Sequence, residues 1–191
     1  MMNTNKRVFK MAFISMGCVV AVVLSFLEGL IPQFAFMPPG AKIGLSNVVT
    51  MYTSYYIGLF PSLAISVVKS FFVLITRGTM AFMMSISGGF VSTLVAYLLF
   101  ALKKKLEQKN SDYNISFIFI GICSALCHNM TQYAVICVLV SSDMYYYIPF
   151  LIIFSVLTGC LTGMMLKIVL PVLNFKNINT AKNLKNKKNL H

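Results

Sequence analysis

The chain has 191 residues, 58% of them hydrophobic and only 10% charged, with a mean hydropathy of +0.81. Soluble domains hold roughly 45 to 50% apolar residues, so a separate soluble catalytic domain is excluded: membrane spans of about 20 residues use up the length. A formal net charge of +12 in such a chain marks one side of a membrane, and no nucleic-acid partner is expected.

The reading is an all-α integral membrane protein, a bundle of six transmembrane helices over residues 8–171. A cytoplasmic segment 1–7 precedes it, and a basic tail 172–191, expected to be disordered and cytoplasmic, follows. Helix 1 is predicted over 8–30, behind Lys6 and Arg7. It is too long for a signal peptide and lacks a small-residue cleavage site, so it reads as retained. Gly17, Ala21 and Ser25 recur every four residues and make one face thin. That thin face suits either a docking partner or packing within the bundle. Glu28 stands near its far end, where an ionisable group is costly without a basic partner or ligand.

Pro32, Pro38, Pro39 and Gly40 forbid helix between the first two spans. The stretch from Pro38 to Asn47, with Lys42, is expected to form a wall and lid of a binding pocket. Helix 2 is predicted over 43–60, with Asn47, Thr50 and Ser54 as a polar stripe. Tyr52, Tyr55 and Tyr56 suit packing better than the walls of a pocket. A short turn bracketed by Gly58 and Pro61 leads to helix 3 over 62–75. Its interior Lys69 faces either the bundle or, by snorkelling, the membrane surface. Arg77 stands in the next turn.

Helix 4 is predicted over 80–102, with a small-residue ridge of Ala81, Ser85, Gly89 and Thr93. The charged stretch from Lys103 to Asp112 reads as a solvated loop. Helix 5, over 115–140, places His128, Asn129 and Gln132 on one face at i, i+1 and i+4, either as satisfied core groups or as part of a site. Helix 6, over 148–170, follows a tyrosine-rich loop and carries Ser155, Gly159 and Gly163 as another ridge. The five cysteines all fall in apolar runs and read as packed thiols. Cys123-x-x-x-Cys127-His128 has one residue too many for haem attachment, and neither metal nor cofactor is expected.

With six spans, thirteen of the sixteen Lys and Arg residues fall on the side of the termini and of the Lys103 to Lys109 stretch, which is therefore expected to be cytoplasmic. Lys42, Lys69 and Arg77 remain toward the outside. Together with Glu28, Asn47, His128, Asn129 and Gln132 they are the candidate substrate-binding residues, suited to a small, anionic, vitamin-like or precursor molecule.

Five local patterns in this order resemble one bacterial family. They are Gly40-x-Lys42-x-Gly44-Leu45-x-Asn47, Leu27-Glu28, Ser87-Gly88-Gly89, His128-Asn129-x-x-Gln132 and Tyr147-Ile148-Pro149. The family is the Gx transporter family, also labelled heptaprenyl diphosphate synthase component I, which is similar to the substrate-binding S components of energy-coupling-factor transporters. The resemblance spans about residues 8–171. It implies a protein of the bacterial plasma membrane that binds a small molecule from outside. It also implies partners: a transmembrane coupling protein with two cytoplasmic ATPases. A small-residue motif on helix 1 docks the coupling protein in S components; Gly17 and Ala21 match it best, although the usual alanine pair is altered. Lys69 stands where the family usually has arginine. The chain has no Walker A loop. Its carboxylates are Glu28, Glu107, Asp112 and Asp143, which do not form the paired aspartate-rich motifs of prenyl diphosphate synthesis. No enzymatic activity is expected; the rival reading is a non-transporting membrane partner of an isoprenoid, quinone or flavin-dependent redox assembly.

Overall fold

The computed structural model describes residues 4–30, 44–109, 115–140 and 145–173, with side chains from residue 7 onward. The expectations for Lys42, the 31–43 connection, Asp112, Asp143 and the tail beyond residue 173 lie outside the described residues. Six α-helices carry the fold: α1 (Thr4–Leu30), α2 (Leu45–Tyr56), α3 (Leu59–Arg77), α4 (Thr79–Lys109), α5 (Phe117–Val140) and α6 (Ile148–Val172), with a short 3-10 turn at Tyr145–Tyr147. Among the described residues there is no strand. Five helices, all but α2, are long and apolar enough to cross a membrane, which makes this a multi-pass helical membrane protein.

Consecutive helices α3 to α6 pack side by side, and α1 lies against α2 and α3. The short α2 stands among α1, α3, α4 and α6. At 1.5 Å per residue its 12 residues reach about 18 Å, short of the roughly 30 Å hydrocarbon core. The expected helix over 43–60 is therefore shortened at its end. Ile57 and Gly58 turn the chain, Gly58 at φ +124°, and α3 begins at Leu59 with Pro61 in its first turn, where the missing N–H costs nothing.

The long helices α1, α3, α4, α5 and α6 turn stripes rich in small or polar residues inward and leave most of their bulky apolar residues outside, whereas α2 buries Val48, Met51 and Tyr52. On α5 the inner stripe is Gly121, Ser124, His128 and Gln132; on α6 it is Ser155, Gly159, Thr162 and Leu166. Small residues allow backbones to approach where lipid removes the hydrophobic incentive to associate. The tightest case is α5 against α6, where a Cβ on Gly159 would stand 2.5 Å from the Ile122 Cα and one on Gly163 2.6 Å from the Ile118 Cα. The α4 ridge meets α3 in the same way: Ser70 donates to Ser85 (3.2 Å), and Gly89 lies over Ser66.

The interior divides into two zones. The half next to the Lys103 end is apolar, built from Val48, Met51, Tyr52, Ala96, Phe100, Ile120, Leu166 and Leu170, with Phe13, Tyr55, Tyr56 and Phe117 packed against it. The solvated loop expected from Lys103 is instead the last turns of α4. Lys103 is only 3% exposed, donating to the Ile115 carbonyl (2.7 Å) and pairing with Glu107 (2.9 Å). Lys104 donates to the Tyr55 carbonyl at the end of α2 (2.6 Å), and the hydroxyls of Tyr52 and Tyr56 donate to the Leu173 and Leu170 carbonyls. Long amphipathic side chains thus satisfy carbonyls that helix ends leave open. The other half of the interior is polar.

Candidate functional site

The polar half is organised by the start of α2. Gly44, at φ +83°, is a left-handed N-cap with no side chain to cap the helix. The N–H of Ser46, which has no intrahelical acceptor, is instead taken by Glu28 of α1, whose Oε1 accepts it at 3.2 Å while Oε2 accepts the Ser46 hydroxyl at 3.2 Å. A carboxylate at a helix N-terminus is held by open N–H groups and by the helix dipole. From α3, Lys69 extends to the same place, donating to Asn47 Oδ1 (2.8 Å) and to Ser46 Oγ (3.4 Å). Ser46 therefore links the two charges, receiving from Lys69 and donating to Glu28. Both ions are nearly sealed, at 4% and 7% exposure for Lys69 and Glu28. Lys69 thus faces the bundle and does not snorkel.

The α5 face closes the chamber from the other side. His128 Nδ1 and Ser92 Oγ of α4 share a hydrogen bond at 3.2 Å, Ser124 donates to the Ser92 carbonyl (3.1 Å), and Asn129 donates to Ser155 of α6 (2.8 Å). Gly88 permits this, since a Cβ there would be 2.9 Å from Gln132 Cγ and 3.1 Å from the His128 ring. Two adjoining clefts result, sharing Gly44, Asn47 and His128. One is lined also by Ser124, Asn129, Thr158 and Thr162, the other by Ser25, Glu28, Ser46, Lys69 and Ser85. Among the described residues each has room for about one water molecule, its lining groups being hydrogen-bonded to one another.

Five of the residues singled out from sequence line these clefts, Glu28, Asn47, Lys69, His128 and Asn129, while Gln132 packs beside them against Gly88. Arg77 does not join them. Its guanidinium lies over Gly29 of α1, and its Nη2 is buried without a hydrogen-bond partner among the described residues. Of the α2 stripe only Asn47 lines the clefts: Thr50 bonds back to the Asn47 carbonyl (2.9 Å), and Ser54 Oγ has no partner among the described residues. Gly17 and Ala21, expected to dock a partner, are turned inward. A Cβ on Gly17 would meet Ile65 of α3 at 3.0 Å and Val49 of α2 at 3.7 Å, and Ala21 is wholly buried. The ridge serves the bundle because α1 must approach α2 closely for Glu28 to reach Ser46.

Ser124, Thr158 and Thr162 line the clefts and were not singled out from sequence, while Ser46 fell within the expected Pro38 to Asn47 wall without a role of its own. Thr158 and Thr162, four apart and in step with Ser155, carried a readable signal; the linking role of Ser46 could not be read locally, since it depends on Glu28 and Lys69 arriving from other helices. All of these residues fall inside the stretch 18–169, which matches the family model described as Heptaprenyl diphosphate synthase component I. Comparison with curated proteins and with solved structures found no match.

Proposed function

We propose, for a chain that belongs to the heptaprenyl diphosphate synthase component I family, the role of membrane-embedded substrate-binding component of an energy-coupling-factor-type importer. The observation that carries this reading is the polar chamber around Lys69, Asn47, Ser46, Glu28 and His128 in one half of a membrane bundle. Buried ionisable and amide groups in lipid are costly and mark ligand or ion sites. By the positive-inside rule the Lys103 end is cytoplasmic, so the chamber lies toward the outside. The cytoplasmic half is plugged by Tyr52, Tyr55, Phe100 and Phe117. A captured molecule then has no route through the bundle; inward release requires the whole component to move against a membrane coupling protein driven by two cytoplasmic ATPases. The chain serves as receptor, not as ATPase or synthase.

Native mass spectrometry of the purified protein identifies what it retains, and uptake of that molecule into vesicles carrying the energising module tests the role. Asn47→Ala combined with His128→Ala should abolish uptake; undiminished uptake refutes the site. A second reading takes its support from the family's description as a synthase component: a non-transporting membrane partner of isoprenoid or redox enzymes. It requires stable co-purification with such an enzyme and no retained small molecule.

A further inference from the structure

Three cations were expected to make the chamber attractive to an anion. Arg77 is placed over Gly29 instead, and Lys42 lies outside the described residues, which leaves Lys69 as the cation lining the clefts among the described residues. Lys69 is already answered. Glu28 shares its cleft, and Ser46 joins the two through hydrogen bonds of 3.4 and 3.2 Å. The Glu28 carboxylate also holds the Ser46 N–H, the seat at the α2 N-terminus that a ligand anion would seek. Among the described residues the titratable groups facing the clefts are Glu28, Lys69 and His128, so with neutral histidine their formal charge sums to zero.

We infer that Glu28 is the resident counter-ion of the chamber, and that the site therefore takes a ligand of no net charge, held by hydrogen bonds. The inference rests on the substrate-capture reading and names the class of substrate. An ion entering this volume leaves water without gaining an uncompensated partner, and an unpaired buried charge is far costlier than an unpaired dipole. The remaining lining of Asn47, Ser124, His128, Asn129, Thr158 and Thr162 offers neutral donors and acceptors, which suits an amide or imide edge.

The test uses two probes of one ring skeleton that differ by a charge, nicotinamide and nicotinate, with binding to the purified full chain followed by saturation-transfer NMR. The wild type should bind nicotinamide at least about tenfold more tightly than nicotinate, since facing like charges discriminates by that much or more. Glu28→Gln, which keeps the hydrogen-bonding shape but leaves Lys69 unanswered, should lose or reverse that preference. Glu28→Gln combined with Lys69→Met should restore it, and guards against a single variant that fails to fold. Equal or tighter binding of nicotinate by the wild type, or an unchanged preference in folded Glu28→Gln, overturns the neutral-ligand rule and leaves capture standing. Binding of neither probe by the wild type overturns the rule, and if native mass spectrometry also finds no retained molecule, capture falls with it.

Discussion

Replacing Lys69 with methionine removes a charge while keeping most of the side chain's volume, and the consequence can be worked from the geometry. Glu28 and Lys69 are 7% and 4% exposed and are linked by one hydroxyl. Removing one member of such a buried pair leaves the other uncompensated, at a cost of about 3–5 kcal/mol. Removing both, as Glu28→Gln with Lys69→Met, forfeits hydrogen bonds worth about 1 kcal/mol each but leaves no buried ion. The double variant should therefore be more stable than Lys69→Met alone, by about 2 kcal/mol. For a chain of this length about 2–4 °C of melting temperature corresponds to 1 kcal/mol, so Lys69→Met should melt roughly 10 °C below wild type and the double variant about half as far. Thermal unfolding in detergent, followed with a thiol-reactive dye, reads this directly, because all five cysteines are partly buried in the fold. Losses that simply add in the double variant would refute the linkage, since independent sites are additive.

The close α5–α6 contact predicts that Gly159→Ala destabilises by about 1–3 kcal/mol through overpacking against the Ile122 backbone. Gly17→Ala should be nearly neutral in the same melting assay, because its neighbour is the movable end of Ile65. Gly88→Ala should spare most of the stability yet weaken ligand retention in native mass spectrometry severalfold, since the added methyl displaces Gln132 and His128. In a cysteine-free background, a cysteine at Thr79 should react with a membrane-impermeant maleimide from outside intact cells, and one at Lys105 only after lysis; the reverse pattern inverts the proposed orientation. Lys103→Met should lower stability by about 1–3 kcal/mol by leaving the Ile115 carbonyl without its donor, the half-exposed Glu107 carboxylate being free to hydrate.

The helices were legible because each carries its own evidence. Long apolar runs, prolines and glycines between them, and small residues in steps of four act within one segment. The His128, Asn129 and Gln132 face could be read the same way. Two boundaries were misplaced where tertiary contacts outweighed local character: Lys103 reads as solvated until the Ile115 carbonyl comes within its reach, and α2 reads as a full span although Ile57 and Gly58 turn the chain early. The helix 1 ridge was recognised as a close-packing face, but spacing alone carries no information about which neighbour it meets. In the fold the neighbours are α2 and α3.

Composition and periodicity by themselves determined a multi-pass helical membrane protein with polar groups at membrane depth on helices 1, 2, 3 and 5, because the cost of polarity in lipid is a property of each residue. What only the tertiary structure decided is which charged residues meet. Glu28, Ser46 and Lys69 lie 18 and 23 residues apart in the chain, and nothing local pairs them. Three helices bring them within hydrogen-bonding distance and set a carboxylate beside the lysine, while Arg77, equally conspicuous in sequence, is carried away to Gly29.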